Sequence, residues 1–272
     1  AVSTVDLAVA GEMFVGLVTR DSAGNIIPGI AESWDVSPDG LVYTFTLRNR
    51  ATWSDGRRVR ARDFIAGFVR ALDPEVAAPY AGDLFAIQGA EDVFAGRLSP
   101  KELGLSTLPF RRLQITLHRP SANFIDVLSR PIATAIPRSA LKDGERSWVA
   151  PGNMVVSGPF AAVSSEGGLA LIKNPGFINA DAIALDRIEF IGVENALEAK
   201  RLVDRGAADL TLGFSFELES GEAPATSRVD GGEGIYFIAV NVRRPPLNDR
   251  GLRHALAMTI NREALVRQIM LA

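Results

Sequence analysis

The chain has 272 residues, of which 47% are hydrophobic and 22% charged, and its formal net charge is −3. This is a globular composition long enough for about two domains, and the acidic balance argues against a nucleic-acid partner. The chain has no cysteine and two histidines, which excludes disulfides, a thiol nucleophile and a metal site built from several histidines. No apolar run approaches the ~18 residues that span a bilayer, so we do not expect a membrane-embedded protein.

The first half of the chain is divided by turns into short strands and helices. Residues 42–47 follow a Pro-Asp-Gly turn, and their β-branched and aromatic side chains predict a strand. The apolar residues of 63–72 recur at helical spacing, and Asp73-Pro74 ends this predicted helix. Residues 113–117 alternate between apolar and polar side chains, which predicts a half-buried strand, and residues 123–128 are predicted to form a short helix.

Strands and helices alternate in the last third, which predicts an α/β layer. Strands are predicted at 160–163, 169–172, 187–192, 208–212 and 235–241. Helices are predicted at 196–205, with Gly206 as the C-cap, and at 252–270. The Gly-, Ser- and Pro-containing stretch 215–234 is predicted to be a surface loop.

No common catalytic motif is present in the sequence: it lacks G-x-S-x-G, a P-loop and H-E-x-x-H. We interpret His118 and His254 as structural or surface residues. A run of arginines beside a turn is either an anion-binding patch or, as we favour, a set of solvated side chains: Arg57, Arg58, Arg60 and Arg62. The aromatic residues of segment 34–68 predict the core of a small subdomain.

A series of short motifs follows these elements in order. They are MFVGLVTRD (13–21), PGIAESW (28–34), SPDG (37–40), YTFTLR (43–48), WSDG (53–56), DF (63–64), DP (73–74), APYA (78–81), SGPF (157–160), KNP (173–175), PPLND (245–249), RHAL (253–256) and INRE (260–263). In this order and spacing the chain resembles the extracytoplasmic solute-binding proteins of peptide and nickel ABC importers, of the oligopeptide-binding type.

The resemblance implies a mixed α/β fold: one periplasmic-binding-protein-like lobe with an inserted small α/β subdomain. Residues 1–27 and 151–272 correspond to the main part of this lobe, and residues 28–150 to the insert, with Trp53 in its core. The second lobe of the family, and the strand before Thr4, have no counterpart in this sequence. Arg60 stands where relatives commonly have Thr at a helix start, so we expect an N-cap oxygen worth ~1 kcal/mol to be lost.

The resemblance also implies a function: capture of an extended oligopeptide by backbone pairing in an interlobe cleft, for delivery to an ABC permease. The residues implied in ligand binding are Val15, Gly16, Leu17, Phe85, Tyr236 and Asn241. Gly16 fits either a close approach of another backbone or a strand irregularity, and Phe85, Tyr236 and Asn241 are open to a packing role instead. Val15 replaces a residue that is acidic in some peptide binders.

Other functions stay open at this point. The solute could be a nickel chelate, an opine or an oligosaccharide, and a lone lobe could be a scaffold that self-associates through its cleft face. A carboxylate hydrolase has little support. We expect a periplasmic or otherwise extracytoplasmic location, membrane-associated in a Gram-positive host, and no enzymatic activity, cofactor or metal. If these residues were a complete molecule, we would expect weak solute binding.

Overall fold

A computed structural model describes residues 4–137, 149–150, 152–166, 168–212 and 237–265. The α-helices within these ranges are α1 Thr4–Met13, α2 Ala61–Ala71, α3 Ala90–Phe94, α4 Phe124–Val127, α5 Ala196–Asp204, α6 Arg250–Thr259 and α7 Arg262–Leu265. The strands are β1 Val18–Arg20, β2 Ile26–Pro28, β3 Ala31–Val36, β4 Val42–Leu47, β5 Leu105–Leu108, β6 Arg112–Thr116, β7 Phe160–Ser165, β8 Gly168–Lys173 and β9 Arg187–Ile191.

Strands β3 to β6 form an antiparallel sheet in the order β3-β4-β6-β5. Every second side chain of β4 is buried, as are Leu113 and Ile115 of β6, because alternate residues of a strand face the same side. Helix α2 lies against β5 and β6 and buries Phe64 and Phe68. The predicted strands at 42–47 and 113–117 and the predicted helix at 63–72 are confirmed.

Trp53 is 2% exposed and belongs to the larger hydrophobic cluster, as predicted. Its indole Nε1 donates to Oδ2 of the buried Asp63 at 3.4 Å, and the Arg60 N–H donates to the same oxygen at 2.9 Å. No side-chain oxygen caps α2 at Arg60, as expected from its replacement of a threonine. The Asp63 carboxylate instead satisfies one amide at the helix start.

Strands β1 and β2 pair with each other in a separate two-stranded antiparallel sheet, and strands β7, β8 and β9 form a third antiparallel sheet in that order. Its smaller hydrophobic cluster contains Phe160, Ala162 and Leu171 together with Val156 and with Met13 at the end of α1. The predicted strands at 160–163, 169–172 and 187–192, and the helix at 196–205 with Gly206 in the left-handed conformation after it, are confirmed.

The two clusters are connected by hydrogen bonds that involve residues of the WSDG and KNP motifs. Ser54 exchanges two hydrogen bonds with the Val156 backbone, at 2.8 and 3.1 Å. The Thr52 hydroxyl donates to the Gly176 carbonyl at 2.8 Å. Asn174 is 2% exposed, and its side chain donates to the Gly158 carbonyl at 2.9 Å and accepts from the Gly176 N–H at 3.0 Å.

Three predictions for the last third are wrong where the structure describes it. Residues 208–212 and the described part of 235–241 are irregular rather than strands. The helix predicted at 252–270 is interrupted at Ile260 and Asn261, because the Asn261 side chain accepts from the Ala264 N–H at 3.0 Å and starts α7. The predicted loop 215–234 and the helix end after 265 lie outside the described residues. Of the described helices, none is long and apolar enough to cross a membrane.

Candidate functional site

The segment implied in ligand binding, Val15 to Leu17, lies between α1 and β1. The Gly16 carbonyl accepts from the Ile30 N–H at 3.0 Å, and the Leu17 carbonyl accepts from Gly29 and Ala31 at 3.1 and 3.0 Å. Leu17 has no exposed surface, Gly16 is buried, and Val15 is half-buried. Val15 is therefore the member of this segment with an accessible side chain.

Gly16 lies where another backbone comes close, and in the structure that backbone belongs to the chain itself. A Cβ built on Gly16 would lie 2.3 Å from the Leu128 carbonyl oxygen and 2.9 Å from the Val18 carbonyl oxygen. No heavy atoms approach so closely without displacement, so glycine is required here for packing against the end of α4.

The SGPF motif holds the start of the segment. Ser157 Oγ accepts from the Val15 N–H at 3.3 Å, and the Gly158 N–H donates to the Met13 carbonyl at 2.8 Å. A Cβ at Gly158 would lie 2.5 Å from the Glu12 carbonyl oxygen. This motif therefore positions the end of α1 and, through it, Val15.

A chain of ion pairs runs beside Gly16 and was not predicted. Asp126 of α4 forms an ion pair with Arg20 of β1 and accepts a hydrogen bond from Arg130 Nη2 at 3.0 Å. Arg130 Nη1 in turn donates to Asp83 Oδ2 at 2.8 Å. Such partly exposed pairs each contribute only ~0–1 kcal/mol, so their main effect is to fix how three segments lie together. The i,i+4 spacing of Asp126 and Arg130 was the signal available in the sequence.

Phe85 is half-buried, two residues after Asp83. Its ring lies 5.4 Å from the Phe94 ring, centroid to centroid, with the planes 55° apart, and it packs against the larger cluster. Because Arg130 contacts Asp83 and Leu128 contacts Gly16, the segment 126–130 lies between the two predicted ligand positions. We call Val15–Leu17, 126–130 and 83–85 together the ledge.

The other two predicted ligand residues are not placed on the ledge. Asn241 is exposed and forms local turn bonds, with its side chain accepting from the Arg243 N–H at 3.0 Å. Tyr236 lies outside the described residues. The assignment of ligand contacts to the six residues stays a prediction.

Besides the ion-paired residues, two titratable side chains lie next to segments of the ledge. Partial enclosure raises the pKa of the Glu12 carboxyl, in the last turn of α1. The His118 ring Nδ1 lies 3.1 Å from the Ala86 carbonyl oxygen, which fits a structural histidine. Among the residues that the structure describes, no three histidine, aspartate or glutamate side chains come together to hold a metal.

The chain belongs to the bacterial extracellular solute-binding proteins, family 5 (Middle), whose family model matches residues 25–271. Characterised members of this family are binding proteins rather than enzymes, and they are periplasmic or extracytoplasmic. The resemblance stated from the sequence motifs is confirmed.

Individual relatives agree with this assignment. The chain is 30% identical over 266 residues to a probable deoxycholate-binding periplasmic protein of Escherichia coli, covering 95% of this chain and 50% of that protein. It is 29% identical over 270 residues to the periplasmic oligopeptide-binding protein OppA of Escherichia coli, covering 96% and 49%. The solved structure of the Escherichia coli murein tripeptide binding protein MppA matches with a TM-score of 0.86 at 27% identity, covering 98% of this chain and 53% of that one.

The chain therefore spans about half the length of the curated relatives it matches. The match to MppA confirms the predicted mixed α/β fold of periplasmic binding proteins.

Proposed function

We propose that this chain is part of the solute-binding component of an ABC importer and that it binds peptides in extended form. The observation that carries the proposal is the likeness to the murein tripeptide binding protein over 98% of this chain, supported by the oligopeptide-binding relative. The proposal includes an extracytoplasmic location, a permease partner and a binding rather than an enzymatic role.

We further propose that the chain forms the first lobe of a two-lobed clamp, with residues 1–27 and 151–272 as its main part and 28–150 as an insert. The distribution of the hydrophobic clusters supports this division in broad outline, although Leu17 and Val18 of the main part pack in the cluster of the insert. The larger cluster draws its buried residues from 17–135, and the smaller one combines Met13 with residues 156–171. Closure of a second lobe over the ledge would couple binding to transport.

On the ledge we assign two contact roles. Val15 and Phe85 offer half-buried apolar surface to the side chains of a bound peptide, and the ion pairs through Asp126 hold the supporting segment in place. The Gly16 and Leu17 carbonyls are already used by the chain's own amides. Backbone pairing with a ligand would therefore use the other main-chain groups of Val15 and its neighbours.

The test is peptide binding by the full-length protein with Val15→Arg, because a long cationic side chain at the ledge would occupy the path of a ligand. Titration calorimetry with short peptides should show at least a ten-fold loss of affinity, equivalent to about 1.4 kcal/mol. The matched control is Val36→Arg on β3, because Val36 is 45% exposed and belongs to none of the three ledge segments. Equal affinities of the two variants would refute the assignment of Val15.

A second ligand class is favoured by one observation, the 30% identity to a probable deoxycholate-binding protein. A bile acid would use the apolar ledge without backbone pairing. Titration of the same protein with deoxycholate decides between the two, since binding of deoxycholate and of no peptide would replace the peptide proposal.

A further inference from the structure

The hairpin that joins β5 and β6 ends in an unusual tip. Leu108 pairs with Arg112, and Pro109, Phe110 and Arg111 form the connection. Phe110 and Arg111 have φ angles of 60° and 61°, in the left-handed region that residues with a Cβ rarely adopt. Phe110 is also 83% exposed, so its ring gains nothing from the core. Local strain and lost burial at one residue are typical of functional positions.

Arginines surround this tip. The Arg111 backbone carbonyl accepts from the Leu47 N–H at 3.0 Å, and the Arg111 side-chain Nε donates to the Leu47 carbonyl at 3.0 Å. The tip thus lies against the turn that follows β4, which carries Arg48 and Arg50. Arg112 Nε folds back on the Pro109 carbonyl at 3.2 Å.

One further arginine joins the group. Arg58 Nη1 donates to Asn49 Oδ1 at 3.1 Å, in the same turn. We call Phe110 with its four neighbouring arginines the basic tip: Arg50, Arg58, Arg111 and Arg112. Arg48 is not counted, because its Nε donates to the Gly29 carbonyl at 2.9 Å. The acidic group within reach of these arginines, among the described residues, is Glu32, 3.7 Å from Arg111 Nη2. The tip is therefore strongly cationic, although the chain as a whole is acidic.

We propose that the basic tip binds the surface of an anionic lipid bilayer. An exposed aromatic ring enters the boundary between headgroups and acyl chains, and arginines around it are attracted to negative headgroups. A protein partner would need a complementary area of about 800 Å² on each side, whereas lipid needs only one apolar anchor and diffuse positive charge. The end of a hairpin with one exposed phenylalanine meets the second requirement.

The experiment is co-sedimentation of the protein with vesicles of phosphatidylcholine mixed with phosphatidylglycerol, against vesicles of phosphatidylcholine alone. We expect binding to the mixed vesicles that weakens as salt rises. Phe110→Asn should reduce the partition coefficient roughly ten-fold, as expected for loss of a partly buried aromatic ring. The double change Arg50→Gln with Arg112→Gln should reduce it by on the order of ten-fold or more.

Two matched controls distinguish binding by the basic tip from non-specific hydrophobic or electrostatic binding. Phe237→Asn makes the same change at a phenylalanine that is 80% exposed elsewhere. Arg201→Gln in α5 with Arg205→Gln at its C-cap removes the same charge. Both should bind as the unaltered protein does, and circular dichroism should show all variants folded. Failure of the unaltered protein to bind the mixed vesicles, or an equal loss in the controls, would overturn the proposal. In the first case a protein partner for the tip becomes the alternative.

Discussion

Phe110 shows how a single residue can lower the stability of a fold that it does not help to pack. Its positive φ costs on the order of 1 kcal/mol for a side chain with a Cβ, and asparagine tolerates this conformation better. We expect Phe110→Asn to raise the free energy of unfolding by about 0.5–1 kcal/mol in denaturant titrations.

The matched change Phe237→Asn should give no such gain, since Phe237 is not among the residues with positive φ. If Phe110→Asn instead lowered the free energy of unfolding, the Phe110 ring would be stabilising the fold by packing, although it is 83% exposed.

Glu12 is a second residue whose environment opposes its charge. Its raised pKa means that the folded state favours the protonated carboxyl over the carboxylate. The stability that the protonated carboxyl gives the fold is complete below the ordinary pKa of 4.5 and is lost as the pH rises through the pKa of the folded state. The carboxylate also lies at the C-terminal end of α1, where negative charge is unfavourable.

Glu12→Gln should therefore stabilise the protein at pH 7, by less than about 1 kcal/mol because solvent screens the charge. At a pH below 4 the gain should disappear, as followed by thermal melting at the two pH values. A gain of the same size at both would show that charge is not the cause.

At the scale of elements, the ledge depends on the contact of the β1 entry with α4. Gly16→Ala would force a Cβ to within 2.3 Å of the Leu128 carbonyl. Overpacking of this kind costs typically 1–3 kcal/mol, and we expect a loss in the upper part of this range, measured by urea denaturation.

Gly82→Ala provides the comparison, because a Cβ there meets no atom within 4 Å and the backbone φ is not positive. It should leave the unfolding midpoint nearly unchanged. If both variants were equally stable, the inference that Gly16 packs closely against the Leu128 carbonyl would be refuted.

Strands β4, β6, β7, β8 and β9 and helix α2 could be predicted because their apolar or β-branched residues follow the pattern of the element. Strands β3 and β5 were not predicted; most of their residues are at least partly exposed. Helix α1 could not be predicted, since TVDLAVAGEM shows no apolar face distinct from a polar one. Residues 208–212 and 237–241 were predicted as strands, yet most of them are exposed and they pair with no strand in the part of the chain that the structure describes. Propensity alone does not decide such segments.

The site could be predicted only as a stretch of sequence. Its geometry comes from contacts between distant residues: 142 positions separate Val15 from Ser157, and 47 separate Asp83 from Arg130. Local periodicity carries no information about such pairs. The motifs identified Val15 to Leu17 and the SGPF segment separately, and only the fold shows that one holds the other.

At the scale of the whole molecule, Asn174 connects the two hydrophobic clusters. Asn174→Ala would leave the Gly158 carbonyl and the Gly176 N–H without their side-chain partner. A buried polar group left unsatisfied costs about 1–3 kcal/mol. We expect a loss of this size in the free energy of unfolding, together with faster hydrogen exchange in β7 and around residues 52–56.

The control is Asn179→Ala, at an exposed asparagine five positions further along whose side chain caps no helix. Asn179→Ala should change neither the free energy of unfolding nor the rate of hydrogen exchange in β7 and residues 52–56. Faster exchange confined to β7 would indicate that the two clusters unfold independently, against the role assigned to Asn174.

The buried indole of Trp53 has a practical consequence. An indole shielded from water emits at shorter wavelengths than a hydrated one, and a carboxylate at its Nε1 makes the emission sensitive to small shifts of the ring. Trp53 and Asp63 connect the WSDG turn with the start of α2. The chain has two other tryptophans, Trp34 and Trp148. In a protein in which both are replaced by phenylalanine, the emission is thus an optical report on this part of the molecule, and it needs no attached dye.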